Sequence, residues 1–121
     1  MIRLCFFEKD GRIVGFRSRG HSGYAPIGQD IVCAMVSTGV MMAECAINDV
    51  AKAGAAVKID EKNTEVTLFL PKRLPPEAEI ACQTILRGFY QTMREQSKAY
   101  AKYLEVKLET TGDQPERRKT Q

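Results

Sequence analysis

One long apolar segment restricts the folds open to this chain. Asp30 is a good helix N-cap, and the helix predicted to begin there runs to about Lys52 or Ala53, where Gly54 suits the left-handed cap. Apolar side chains cover most of its circumference, and polar residues such as Glu44 are confined to its second half. A helix that is apolar on all sides is buried on more than one side. We therefore expect it to pack on a sheet and also on a second helix or another subunit.

Segments of alternating polarity supply that sheet. The alternation predicts five strands, at 2–8, 13–18, 56–61, 65–70 and 104–109. Asp10 and Gly11 provide the positive φ angles of a tight turn between the first two strands. The pair Pro75-Pro76 then introduces a second helix over roughly residues 77–102, in which Gly88 could permit close packing.

The resulting order is β-β-α-β-β-α-β, which predicts a single α+β domain. One sheet with two helices packed on one face is the economical arrangement of these elements. We place this domain at residues 1–110. Residues 111–121 offer no apolar anchor except Pro115 and are predicted to be a disordered C-terminal tail.

Composition excludes several classes of function. A length of 121 residues, of which 44% are hydrophobic, fits one folded domain, and a net charge of +3 is too mild for a typical nucleic-acid binder. The cysteines form no Cys-x-x-Cys pair and the chain has one histidine, so we expect no structural zinc and no cofactor. With no signal peptide and no apolar run of about 20 residues recognised, we expect a reduced, cytoplasmic protein without a membrane partner.

The glycine-rich stretch 20–37 carries the candidate chemistry. It contains the only histidine, His21, and Cys33 follows twelve residues later, at about the third helical position. Free amides and the helix dipole stabilise a thiolate there, so we interpret Cys33 as a nucleophile and the amides near Cys33 and Ala34 as oxyanion donors. Imidazole titrates near neutral pH, so His21 can take the thiol proton if its loop folds over the helix start. The alternative interpretations are that Cys33 is a packed core cysteine and that His21 is a solvated loop histidine.

Neighbouring residues have supporting roles in this hypothesis. Gly20 and Gly23 let the backbone turn tightly beside the histidine. Asp30 is interpreted as a helix cap rather than a chemical participant. Ser37, one turn after the cysteine, can bond to substrate, to the histidine or to its own helix backbone. Tyr24 either contacts substrate or anchors the loop.

The remaining cysteines are predicted to have packing roles only. They are Cys5, Cys45 and Cys82, which lie on a predicted strand or on predicted core faces of helices. The methionines of the first helix are interpreted as core or subunit-interface residues.

The same stretch resembles a known family signature. Gly20-His21-x-Gly23-Tyr24-Ala25 followed by Gly28-x-Asp30-Ile31-Val32-Cys33-Ala34 is similar to the motif of the bacterial ribosomal-processing cysteine proteases. The element order agrees with that family over about residues 1–110. The resemblance implies that His21 and Cys33 are the catalytic pair, and the family's aspartate and serine fall on Asp30 and Ser37. Ser22 stands where the family usually has a small residue, often alanine.

The resemblance also implies a substrate and an assembly. Members of that family remove a short N-terminal extension from the twenty-seventh protein of the large ribosomal subunit, after a pair of aromatic residues. They are homodimers, and their glycine loop is thought to order over the substrate. The apolar first helix fits a dimer, and exposed strand edges fit peptide binding by strand addition. No direct contact with nucleic acid is required.

Two other functions remain open from the residues alone. A non-catalytic α/β module that binds ribosomes or RNA fits the small size and basic balance, and it predicts that Cys33→Ala keeps full function. A thiol redox protein is the third interpretation, but no resolving cysteine lies within a few residues of Cys33.

Overall fold

The computed structural model describes residues 1–26 and 30–111 and contains every predicted strand and helix. The strands are β1 (Ile2–Lys9), β2 (Arg12–Arg19), β3 (Ala56–Asp60), β4 (Glu65–Phe69) and β5 (Leu104–Thr110). The helices are α1 (Ile31–Glu44), continued by a π-helical stretch (Cys45–Val50), and α2 (Pro76–Ala99). The motif residue Gly28 and the predicted tail beyond Thr111 lie outside the described residues.

The strands form one sheet in the order β3-β4-β2-β1-β5. The first hairpin turns at Asp10 and Gly11, whose φ angles of 51° and 80° match the predicted tight turn. β1 pairs antiparallel with β2 and parallel with β5, the strand that follows α2. The hairpin β3–β4 joins the other side of β2, so β3 and β5 are the two edges.

Both helices pack on one face of this sheet, which confirms the predicted α+β arrangement. Ile2, Leu4 and Phe6 of β1 alternate onto that face as expected. They share a single core with the buried stripe of α1 and with Cys82, Leu86, Phe89 and Met93 of α2. The ring of Phe89 stacks edge-on against Phe6 and Phe16, with centroids 5.3 and 5.2 Å away.

The opposite face of the sheet carries a smaller apolar cluster. It consists of Cys5, Phe7, Val14 and Phe69, all of them buried. The rings of Phe7 and Phe69 stack with centroids 5.6 Å apart, and the Arg17 guanidinium lies over the Phe7 ring. This cluster explains why Phe7 is apolar although it points away from the helices.

The first helix ends earlier than its apolar pattern predicts. Its last turns are π-helical and stop at Val50, and the chain then reaches φ = 53° at Lys52, before Gly54. The Asn48 side chain holds this exit because its amide nitrogen donates to the Ala55 carbonyl oxygen and its amide oxygen accepts from the Ala55 N–H, at 3.1 and 2.8 Å. The helix therefore ends two to three residues before the predicted end at about Lys52 or Ala53, although Gly54 has the predicted left-handed conformation, with φ = 70°.

The helices approach closely at Gly39 of α1 and not at Gly88 of α2. A Cβ atom on Gly39 would lie 2.7 Å from Cε1 of Phe89, whereas a Cβ on Gly88 would meet nothing within 4 Å. The expectation that Gly88 permits close packing is wrong, because that residue lies on the exposed side of α2.

The helical segment Ile31–Val50 is long and apolar enough to meet the length and composition limits of a membrane span. The expectation of no apolar stretch of that length therefore does not hold. Its stripe at Val32, Val36, Val40 and Ala43 packs into the core, as a core helix of a folded domain does. The other side stays exposed, with Met41 and Met42 64% and 60% accessible.

Candidate active site

Cys33 is the third residue of α1, at the position that the sequence predicts. Asp30 is the N-cap, and its Oδ1 accepts the Cys33 N–H at 2.9 Å. The Ala34 N–H donates to the Asp30 carbonyl oxygen at 3.1 Å, which closes the first helical turn. Both amides that were expected to hold an oxyanion are therefore engaged by Asp30, and the structure does not support that expectation.

His21 and Cys33 line the same groove. The groove has a volume of about 950 Å³ and lies between α1 and the β3–β4 hairpin, with the loop 20–26 along one side. Among the contacts within residues 1–26 and 30–111, no hydrogen bond joins the imidazole to Sγ. Nε2 of His21 instead lies 3.3 Å from Oγ1 of Thr64.

Thr64 holds the histidine loop from the side of the β3–β4 hairpin. Its backbone carbonyl accepts the Gly20 N–H at 3.0 Å, and its hydroxyl contacts His21. The residue has a φ of 49°, unusual for a β-branched side chain. Sequence reasoning did not identify Thr64, because nothing in its local pattern indicates contact with a histidine 43 residues earlier.

The backbone conformation of the loop favours glycine at both predicted positions, 20 and 23. Gly20 and Gly23 have φ angles of 97° and 73°, which favour glycine. A Cβ on Gly20 would also lie 2.7 Å from the carbonyl oxygen of Met1. The backbone at both positions thus fixes the path of the loop on either side of His21 and Ser22.

Ser22 is the most connected residue of this loop. It is buried, its hydroxyl donates to Oδ2 of Asp30, and that hydroxyl accepts the Tyr24 N–H at 3.0 Å. Its own N–H points at Sγ of Cys33 with a donor–acceptor distance of 3.4 Å. In the sequence, Ser22 stood out only as a mild departure from the family motif.

The Asp30 carboxylate is stabilised in its charged form. Burial raises its pKa, but hydrogen bonds from the Ser22 hydroxyl and the Cys33 backbone outweigh that effect, so the pKa falls to about 2. Asp30 is therefore an anion at neutral pH, and its N-cap role is confirmed.

Ser37 lines the groove, whereas Tyr24 lies outside its described lining. The Tyr24 ring packs edge-on against Tyr103 and Tyr100, with centroids 5.1 and 6.0 Å away, which favours the loop-anchor interpretation. Ser37 is exposed on α1 and lines the groove, as does Ala34.

The other cysteines divide between packing and exposure. Cys5 and Cys82 are buried, as predicted, and burial raises the pKa of both thiols, that of Cys5 to about 11 with help from the hydrogen bond to Glu109. Cys45 is exposed, so its predicted packing role is wrong. It is the first residue of the π-helical stretch, on the side that faces solvent.

Comparison with known proteins shows the family of this chain. A family model described as "Cysteine protease Prp" matches residues 1–105. The ribosomal processing cysteine protease Prp of Bacillus subtilis (strain 168) is 30% identical over 97 residues, which span 80% of this chain and 87% of that protein.

Solved structures show the same fold. SMU.848 from Streptococcus mutans aligns with a TM-score of 0.77 at 22% identity, covering 92% of this chain and 96% of that one. The essential ribosomal processing protease Prp from S. aureus, in complex with a substrate peptide, aligns with a TM-score of 0.76 at 17% identity, covering 90% and 100%.

A thiol at a helix start, beside a groove that also holds a histidine, is typical of thiol-dependent hydrolases, and the family match makes this protein a cysteine protease. More narrowly, the chain belongs to the Prp family of ribosomal-processing cysteine proteases.

Proposed function

We propose that this protein removes a short N-terminal extension from the twenty-seventh protein of the large ribosomal subunit, with Cys33 as nucleophile and His21 as general base. The observation that carries the proposal is the groove of about 950 Å³ bordered by both residues, with Cys33 in the first turn of α1. The Bacillus subtilis relative is a ribosomal processing protease by name, and the S. aureus relative was solved with a substrate peptide and with a covalently linked product peptide.

The reaction begins when Sγ of Cys33 attacks the scissile carbonyl carbon and His21 takes the thiol proton. The resulting tetrahedral oxyanion collapses as the imidazolium returns that proton to the leaving amine. The new N-terminus departs and leaves the extension as a thioester on Cys33. Water, deprotonated by His21, then attacks the thioester carbonyl. The bond between Sγ of Cys33 and the carbonyl carbon breaks, the extension leaves with a free carboxyl group, and the imidazolium returns its proton to the Cys33 thiolate.

These reaction steps require the His21 imidazole to turn away from the Thr64 hydroxyl and toward Sγ of Cys33. The imidazole is exposed and its one hydrogen bond within the described residues is with the Thr64 hydroxyl, so the rotation breaks a single weak contact. A substrate lying in the groove between α1 and β3–β4 would exclude water from the imidazole and favour that turn.

The charge of the groove favours a peptide over a nucleic acid. Its described lining includes no Lys or Arg. Its acidic members are Asp30, Glu44, Asp60, Glu61 and Glu65. Carboxylates repel a phosphate backbone, whose binding depends on cationic side chains. The alternative of an RNA-binding module therefore lacks support at this site.

The proposal includes a homodimer in a reducing, cytoplasmic setting. Ile31 and Met42 of α1 and Val50 of the π-helical stretch are exposed apolar side chains outside the described groove lining, and a second copy could cover them. All four cysteines are free thiols, which suits a reducing compartment.

Cleavage of the extended ribosomal precursor, read by intact mass, tests the proposal. Wild type is incubated with the precursor and with the same protein lacking its extension. Cys33→Ala is the inactive control, and Cys45→Ala is the matched control because Cys45 is exposed and outside the described groove lining. We expect wild type and Cys45→Ala to release one N-terminal peptide from the precursor alone. An intact precursor, or cleavage by Cys33→Ala at the wild-type rate, would refute it.

A further inference from the structure

Ser22 is a loop residue that contacts both the candidate nucleophile, Cys33, and the residue that caps its helix, Asp30. Its exposed fraction is 3%, and it is one of two buried polar residues among those described. Its hydroxyl donates to Oδ2 of Asp30 and accepts the Tyr24 N–H at 3.0 Å. A buried hydroxyl with both its donor and an acceptor position occupied is held in one orientation.

One carboxylate thereby ties the loop to the helix. Oδ1 of Asp30 accepts the Cys33 N–H at 2.9 Å, while Oδ2 accepts the Ser22 hydroxyl. The loop residue and the nucleophile are thus fixed to the two oxygens of the same planar group. As a result the Ser22 N–H is directed at Sγ, at 3.4 Å, although eleven residues separate the two along the chain.

This amide is placed where negative charge develops. The Cys33 and Ala34 amides are already engaged by Asp30, so they do not serve the sulfur. An N–H group aimed at Sγ favours the thiolate over the thiol. The adjacent residue is His21, so the same attachment also fixes the backbone from which the imidazole must turn.

We propose that Ser22 is a positioning residue for the protease reaction, whose hydroxyl clamps the histidine loop to Asp30 and thereby holds the Ser22 N–H against the Cys33 sulfur. The inference rests on the proposed role of Cys33 as nucleophile. Removing the hydroxyl leaves the helix cap at Cys33 in place but frees the loop. The amide then leaves Sγ, and His21 loses its fixed starting position.

The chain supplies matched controls for a test. Ser22→Ala removes the hydroxyl and keeps the backbone amide, while Ser22→Thr retains a hydroxyl. Ser97→Ala removes an exposed hydroxyl in α2 that donates to the Arg94 carbonyl oxygen. Cys45 is an internal control in every variant, because it lies roughly 18 Å from Cys33 along the helix at 1.5 Å per residue and its surroundings are the same in all of them.

The measurement is the rate of iodoacetamide labelling of Cys33 and Cys45 from pH 5 to 10, resolved by peptide mass. In Ser22→Ala we expect the midpoint for Cys33 to rise by about half a pH unit or more, with that for Cys45 unchanged. We also expect kcat/KM for precursor cleavage to fall roughly 5- to 30-fold, mostly through kcat, and Ser22→Thr to recover most of the loss. Ser97→Ala should match wild type in both assays.

The outcomes distinguish a positioning role of Ser22 from a purely structural role in the loop. If Ser22→Ala lowers the melting temperature but leaves the Cys33 midpoint and kcat/KM at wild-type values, Ser22 only stabilises the loop and the inference is overturned. The labelling arm needs no substrate. If wild type cuts no ribosomal precursor while the Cys33 midpoint still shifts in Ser22→Ala, the proposed substrate fails and the role of Ser22 at Cys33 stands.

Discussion

Replacing Gly39 with alanine should destabilise the domain, although alanine is the better helix former. The new Cβ would lie 2.7 Å from Cε1 and 3.4 Å from Cδ1 of Phe89. The Phe89 ring has little freedom to move away, because it is 3% exposed and packs edge-on against Phe6 and Phe16. Helix α1 must therefore shift away from α2.

Two opposing contributions to the free energy of unfolding set the size of the effect of Gly39→Ala. Overpacking a core costs about 1–3 kcal/mol, and a blocked aromatic neighbour places Gly39→Ala near the upper end. The gain in helix propensity from Gly to Ala is about 1 kcal/mol. We therefore expect a net loss of about 2 kcal/mol in the free energy of unfolding, or roughly 10 °C in Tm for a domain of this size.

Gly88→Ala is the matched control. It lies within α2, where a Cβ would meet nothing within 4 Å, so only the propensity term remains. We expect a gain of about 0.5–1 kcal/mol. Thermal unfolding and urea titration of both variants measure the difference. A Gly39→Ala protein that is as stable as Gly88→Ala would show that the two helices do not meet as described.

Other predictions follow from individual side chains. The Asp30 carboxyl has a pKa of about 2 against an ordinary 3.8, so its stabilising effect is complete above about pH 4 and lost as pH falls through 2. The difference in urea midpoint between wild type and Asp30→Ala should therefore shrink from pH 5 to pH 2, and a constant difference would contradict this. At pH 8, iodoacetamide should label exposed Cys45 well before Cys5, whose thiol pKa is raised to about 11 by burial and by Glu109; equal rates by peptide mass would refute the burial. Gln83→Ala should cost about 1–3 kcal/mol by urea titration, because it leaves the Ile13 N–H and carbonyl without the Gln83 amide.

The strands and their faces could be predicted because alternation is a local property. Ile2, Leu4 and Phe6 fall on the helix side of β1 and Phe7 on the other, as the period of two requires. The turn at Asp10 and Gly11 was predictable for the same reason, since the dipeptide itself favours positive φ.

The errors arise where the structure depends on specific contacts or on helix orientation, which periodicity alone does not give. The end of the first helix depends on Asn48 binding Ala55 across the exit, which an apolar pattern does not reveal. The close approach at Gly39 rather than Gly88 depends on which side of each helix meets the other. Cys45 was predicted to pack on a core face of the helix, yet it is exposed at the start of the π-helical stretch.

The main residues of the candidate site could be predicted from the sequence, but the hydrogen bonds that join them could not. A cysteine after an N-cap and a glycine-flanked histidine are sequence features, and both residues line one groove. The contacts of Thr64 with His21 and of Ser22 with Asp30 and Cys33 join segments that sequence order does not relate. The engagement of the Cys33 and Ala34 amides by Asp30 likewise follows from the geometry of the cap.

The central claim is that Cys33 and His21 act as one catalytic unit. Its most direct test is kcat/KM for precursor cleavage by wild type, Cys33→Ala, His21→Ala and the double variant, with Cys45→Ala as a folded control. Residues that act as a unit are strongly non-additive. We predict that each single variant loses about 10³-fold or more, and that the double variant is no worse than Cys33→Ala. Wild-type activity in His21→Ala, or losses that multiply in the double variant, would contradict the account.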